Sequence, residues 1–168
     1  MSWKYKGLNP LPGGYQNYLN FIAKLLEKAE TDKPSRSELW AWIRSEFQVT
    51  GEKSPKSYLH MMLTLGLVSD SQGGLSLSAR GKEFLMTRNT QVILKALVEN
   101  YSGVEEIIVL LKKKPKTSHK EIGKILAQEC NLKWTTPTQI GRRLSWLRAL
   151  GQVVRIDDYY SLSSDKRE

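Results

Sequence analysis

The chain has 168 residues with 26 Lys+Arg against 17 Asp+Glu, a formal net charge of +9. Hydrophobic residues at 40% and charged residues at 26% are globular composition, not disordered or fibrous composition. One cysteine, Cys130, excludes an internal disulfide framework and any multi-cysteine metal site, while apolar runs no longer than that of residues 107–111 exclude a bilayer-spanning segment.

In chain order, residues 1–14 form an arm that lacks the apolar core of a leader peptide and closes on Leu11-Pro-Gly-Gly14. Residues 15–30 carry Tyr18, Ile22, Leu25 and Leu26 at helical spacing. Ser35-Arg-Ser-Glu38 is a capping box that opens a second helix through Leu39, Trp40 and Ile43 to about Phe47. Ser54-Pro55 reads as an N-cap and first-turn proline, opening a third helix that ends before Gly66. Residues 67–69 and 75–77 flank a glycine-containing turn and predict a hairpin. Residues 79–86 and 90–100 predict linking helices, and 104–114 a further helix. Ser118-His-Lys-Glu121 caps the next helix, and Thr136-Pro137 opens the last one. Residues 152–156 and 159–162 then flank the turn Asp157-Asp158.

This order is a repeat. A shift of 85 places Leu59 on Leu144, Met62 on Leu147, Leu65 on Leu150 and Gly66 on Gly151; upstream, a shift of 83 places Leu39 on Ile122, Ile43 on Leu126 and Phe47 on Cys130. The two-residue difference is absorbed by a loop. The expected division is therefore an arm (1–14), a first module (15–87), a linking helix (88–103), a second module (104–163) and a tail (164–168). The expected fold class is mainly α with small β wings (α+β).

Three helices followed by a two-stranded hairpin, with Leu-Gly closing each third helix, resemble the winged helix-turn-helix superfamily. Leu75-Ser-Leu-Ser-Ala-Arg-Gly-Lys-Glu-Phe-Leu85 is similar to its exit from the wing, with Ser78 in place of threonine. The segment from Trp134 to Gly151 resembles the second helix-turn-helix of winged-helix modules attached to prokaryotic restriction endonucleases. The resemblance covers residues 15–163. It implies two modules joined by helices and sequence-specific binding of double-stranded DNA, as the target-recognition part of a restriction or defence system. Further partners would then be a nuclease or ATPase domain or subunit, and the protein would be cytoplasmic and nucleoid-associated, with no membrane contact. A transcriptional regulator of the same fold and a winged-helix protein-interaction scaffold are the alternatives.

Helical rotation at 100° per residue selects the faces. In the last helix Ile140, Leu144 and Leu147 point inward, with Leu150 at the margin. Thr138, Arg142, Ser145 and Ala149 lie opposite, with Gln139 and Trp146 on a flank. Arg142 can pair bidentately with guanine and Gln139 with adenine. Thr135, Thr136 and Thr138 sit where hydroxyls and backbone N–H groups meet phosphate. Arg143, with Lys116, Lys120, Lys124 and Lys133, completes the expected DNA surface of the second copy. In the first copy Lys53, Ser54, Lys56, Ser57 and His60 take the equivalent places. The second half carries twice the net charge of the first, +6 against +3, so the second copy is the expected primary contact. Its acidic turn, Asp157-Asp158, opposes phosphate binding by that wing, and Arg155 offsets it in part.

The aromatics read as structure: Trp40 in the core, Trp134 as a staple before the last helix, Trp146 at the core edge. Cys130, at Phe47's position, reads as a small buried hydrophobe. Neither His60 nor His119 has metal-ligand spacing with it. No P-loop, nucleotide-binding glycine pattern or H-E-x-x-H motif occurs, and no lysine follows a carboxylate or Gln by two residues, as metal-dependent nuclease sites often require. The expectation is a chain without enzymatic chemistry and without cofactor or metal.

Overall fold

The computed structural model describes residues 3–166. By contacts the chain divides into two compact units: Leu11–Ala96, and Met1–Pro10 together with Leu97–Glu168. Met1 and Ser2 of the arm and Arg167 and Glu168 of the tail lie outside the described residues.

In the unit Leu11–Ala96, a 3-10 turn at Tyr15–Asn17 leads into α1 (Tyr18–Asp32), followed by α2 (Arg36–Glu46) and α3 (Lys53–Thr64). The capping box at α2 is formed as read: Ser35 Oγ accepts from the Glu38 N–H, and the Glu38 carboxylate accepts from the Ser35 N–H at 2.8 Å. The third helix starts earlier than expected. Ser54 is its second residue and Pro55 its third, where a missing N–H is still free of cost because no intrahelical acceptor exists in the first turn. Strands β1 (Val68–Ser71) and β2 (Gly74–Leu77) pair antiparallel with Val68 opposite Leu77 and Ser71 opposite Gly74. The turn is thus only Gln72-Gly73 and both strands run longer than the apolar pattern indicated. Ser78 caps α4 (Ala79–Thr87) by accepting from the Gly81 N–H. Helix α5 (Thr90–Asn100) follows, and the division between units falls within it. The core of this unit includes Phe21, Ile22, Leu25, Leu26, Leu39, Ile43, Leu59 and Met62, with Met61 buried as well.

The second unit contains α6 (Val104–Lys113), β3 (Thr117–Ser118), α7 (His119–Glu129), α8 (Thr138–Ala149), β4 (Val153–Ile156) and β5 (Tyr159–Leu162), ending in a 3-10 turn at Ser163–Lys166. The sheet order is β3-β5-β4, all antiparallel. Strand β3 has no counterpart in the first unit, for a local reason. Pro34 occupies the position of Thr117; it accepts from the Leu75 N–H at 2.8 Å, as Thr117 faces Tyr160, but proline has no N–H to return. The repeat extends to backbone conformation: Lys33 and Lys116, Gln48 and Asn131, and Gly66 and Gly151 all have positive φ at matching positions. Ile140, Leu144, Leu147 and Leu150 are buried as expected.

Two expectations are corrected here. Cys130 is exposed, not buried. It is the residue at which α7 ends, next to left-handed Asn131, and lacks the ring with which Phe47 reaches Phe21, 4.6 Å between centroids. Trp146 lies deep in the unit rather than at its edge, fully buried.

The N-terminal segment belongs to the second unit. Tyr5 forms a parallel bridge with Tyr101, donating its N–H to the Asn100 carbonyl at 2.8 Å, and the Ser102 N–H returns a bond to the Tyr5 carbonyl at 3.1 Å. Leu8 is fully buried.

Candidate nucleic-acid interface

Helix α8 is held by side chains that the sequence pattern assigned to solvent. Arg143 is fully buried. Its Nε donates to the Ser102 carbonyl at 2.7 Å and its Nη2 to the Lys6 carbonyl at 2.7 Å. Its Nη1 donates to the Gln139 carbonyl at 3.0 Å and the Gln139 amide oxygen at 2.8 Å. The Trp134 ring lies 4.4 Å from the guanidinium carbon, a cation–π contact. Burial pulls the Arg143 pKa down to about 10, with the Glu106 carboxylate acting in the opposite sense, so the group remains charged at neutral pH.

Three further bonds tie α8 and its leading loop to residues 6–9. The Leu8 N–H donates to the Gln139 amide oxygen at 2.9 Å, Trp146 Nε1 to the Asn9 carbonyl at 2.9 Å, and Trp134 Nε1 to the Lys6 carbonyl at 3.0 Å. The expected roles of Arg143 and Gln139 are therefore corrected. The first has no exposed surface, and the second has its amide oxygen committed inside the fold, where it cannot complete a bidentate contact with adenine. A sequence signal for Arg143 existed: it lies three residues after Ile140 and four before Leu147, on the apolar side of the helix. Nothing in residues 6–9 signalled their role, because a four-residue extended segment has no periodicity.

The remaining face of α8 presents Thr138, which is exposed, with Arg142, Ser145 and Ala149 half-buried. Arg142 Nη1 makes one long bond, 3.3 Å, to the Leu8 carbonyl, and its other N–H groups have no protein partner. Thr135 and Thr136 are exposed in the loop before the helix. Lys116, Lys120, Lys124 and Lys133 are all exposed and form no ion pair, as do Lys112 and Lys113; Lys114 is paired with Glu121. Unneutralised ammonium groups thus stand on α7 and in the loops on either side of it, and Lys120 and Lys133 share a cleft with Thr135 and Thr136 before α8. On the hairpin, Arg155 donates to the Asp157 carbonyl at 2.8 Å and pairs with Asp158 at 3.4 Å, which partly cancels the charge of that turn.

In the first unit, Lys53 is the first residue of α3, and Lys53, Lys56 and His60 are exposed, with Ser54 and Ser57 half-buried. Lys56 Nζ stands 4.9 Å from the Trp40 ring centroid, and Ser57 Oγ donates to the Lys53 carbonyl. Trp40 is half-buried beside the core residues Leu39 and Ile43. This face is less basic than its counterpart.

Among the described residues no three His, Cys, Asp or Glu side chains converge as a metal site. Partial burial and the Glu106 and Glu129 carboxylates push the Cys130 thiol up, the direction opposite to that of an activated nucleophile. His119 Nε2 lies 2.9 Å from the Pro137 carbonyl oxygen, which orients the ring. No described helix is long and apolar enough to cross a membrane.

The elements define a mainly helical α+β protein with small antiparallel hairpin sheets, each preceded by three helices. A solved structure of the same fold is similar over 96% of this chain and 82% of its own, with a TM-score of 0.54 and 12% identity: the BpuJ1 endonuclease binding domain, crystallised in complex with pyrene- and phenanthrene-modified DNA. No family model matches the sequence, and no curated protein does.

Proposed function

We propose that this chain is a tandem winged-helix module, residues 15–87 and 104–163, that binds double-stranded DNA sequence-specifically as the target-recognition part of a restriction or defence system. The observation that carries the reading is the set of exposed lysines without ion pairs, Lys116, Lys120, Lys124 and Lys133, on α7 and the loops on either side of it. Lysines without acidic partners keep their charge available for phosphates. The similar fold of the BpuJ1 binding domain, which was crystallised with DNA, supports the same assignment.

In this mechanism α7 lies along the sugar–phosphate backbone and α8 enters the major groove. Lys116, Lys120, Lys124 and Lys133 neutralise phosphates, with Thr135 and Thr136 hydroxyls donating to phosphate oxygens. Arg142 reads guanine, with Thr138 and Ser145 beside it. Residues 6–9 and buried Arg143 act as positioning groups that fix the rotation of α8, so that Arg142 is presented and Gln139 is not. In the first unit Lys53, Lys56, Ser57 and His60 make the secondary contact.

Selection from a random duplex pool at ~150 mM salt, where weak non-specific attraction is screened, tests the reading. One asymmetric motif that loses a guanine preference in Arg142→Ala is expected. A palindrome would instead favour a dimeric regulator, and no retained duplex would contradict DNA recognition.

A further inference from the structure

The repeat exposes a vacancy. Position 123 of α7 corresponds to position 40 of α2, and in the first unit that position is Trp40, whose indole lies beside α3 with Lys56 over its face. In the second unit the residue is Gly123, and Gly141 stands where Lys56 does. A cleft of about 680 Å³ opens there, with Gly123, Ala127, Leu132, Trp134, Pro137 and Ile140 making its apolar walls. Lys120, Lys133 and His119 stand among the residues that line it.

Glycine at this position is not demanded by packing. Its backbone is ordinary helix, and a Cβ would meet only Ile140 Cγ1 at 3.8 Å, an ordinary contact. A glycine inside an eleven-residue helix costs about 1 kcal/mol relative to alanine. What the glycine does leave is room. The equivalent space in the first unit takes an indole, and there the Trp40 Nε1 is buried with no hydrogen-bond partner, so the site is apolar enough to offer a ring nitrogen nothing. A planar hydrocarbon-like ring matches the walls. The unpaired ammonium groups of Lys120 and Lys133 match an anion attached to it.

We propose that the cleft between α7 and the loop before α8 is a binding site for a small planar aromatic carboxylate of indole size, its ring against Gly123 and Ala127 and its carboxylate toward Lys120 and Lys133. The site stands on the cleft and the internal comparison, independently of whether the chain binds DNA.

Calorimetric and NMR titration of the full chain with indole-3-acetate tests this, with 3-methylindole as the neutral analogue. Saturable one-to-one binding with a Kd of about 0.1–1 mM is expected for a ligand of this size. The neutral analogue and the Lys120→Ala/Lys133→Ala variant should each bind indole-3-acetate's site about tenfold more weakly than the native pair. Gly123→Trp, which restores the residue of the first unit, should abolish binding with the melting transition retained. Should that variant fail to fold, Ala127→Leu narrows the same cleft and should weaken binding at least as much as loss of the lysines. Absence of saturable binding at ~10 mM, affinity unchanged in the cleft-filling variant that folds, or affinity indifferent to the carboxylate would each overturn the proposal.

Discussion

Arg143 concentrates the physical argument at the scale of single residues. Four acceptors from three separate segments, the carbonyls of Lys6, Ser102 and Gln139 and the Gln139 amide oxygen, converge on one guanidinium. Removing it strands the buried Ser102 carbonyl and leaves the Lys6 carbonyl with Trp134 Nε1 alone, so Arg143→Met should cost about 1–3 kcal/mol, read as a lower urea midpoint with unchanged slope. Gly103 guards the same site: its φ is +91°, and a Cβ there would stand 2.8 Å from Arg143 Nε. Gly103→Ala should therefore destabilise by more than about 1 kcal/mol, from the strained backbone and the displaced guanidinium together. In the first unit Gly81 plays a different role, since a Cβ would fall 2.0 Å from the Leu67 carbonyl oxygen. Gly81→Ala must push α4 off the hairpin, an overpacking cost of about 1–3 kcal/mol measurable by thermal denaturation. None of these roles has a one-residue signature in sequence. Arg142 and Arg143 are adjacent and chemically identical, and only their 100° separation, read against Ile140 and Leu147, distinguishes a presented arginine from a buried one.

Among elements, those with strong local signals were legible. The box at Ser35, the cap at Ser118 and the linking helices fall where the pattern places them, because capping and 3.6-residue periodicity are local physics. Strand β3 and the segment of residues 6–9 were not legible. A two-residue strand and a short extended arm have no period to detect, and both are created by tertiary partners: Tyr160 for the first, Gln139, Arg143 and Trp146 for the second. The arm is nevertheless an integral part of its unit. Leu8, fully buried, should cost about 2–4 kcal/mol when changed to Ala, and its loss should expose Trp146 to quenchers of indole fluorescence. The third-helix starts differ from the expected ones by one or two residues: α3 opens at Lys53, two before Pro55, and α8 at Thr138, one after Pro137, because proline is tolerated around the first turn and does not fix the cap by itself.

For the molecule as a whole, the repeat was the most informative thing in the sequence, and the structure extends it to matched left-handed residues that no helical pattern displays. Copies of one architecture diverge in their surfaces: the second keeps an unpaired lysine face and a glycine where the first has Trp40. Net charge showed which half is basic, but not which cations are free, since ion pairing such as Lys114–Glu121 is a matter of geometry. The central claim is that the free ones hold DNA. It is tested most directly by titrating a fluorescent duplex with the native chain and with Lys116→Ala/Lys120→Ala/Lys124→Ala across a range of salt concentrations. Each phosphate contact contributes about −0.9 to the slope of log affinity against log salt, so the variant should bind more weakly with a slope shallower by up to about 2.7. Equal slopes for the two proteins, or native affinity indifferent to salt, would contradict the account.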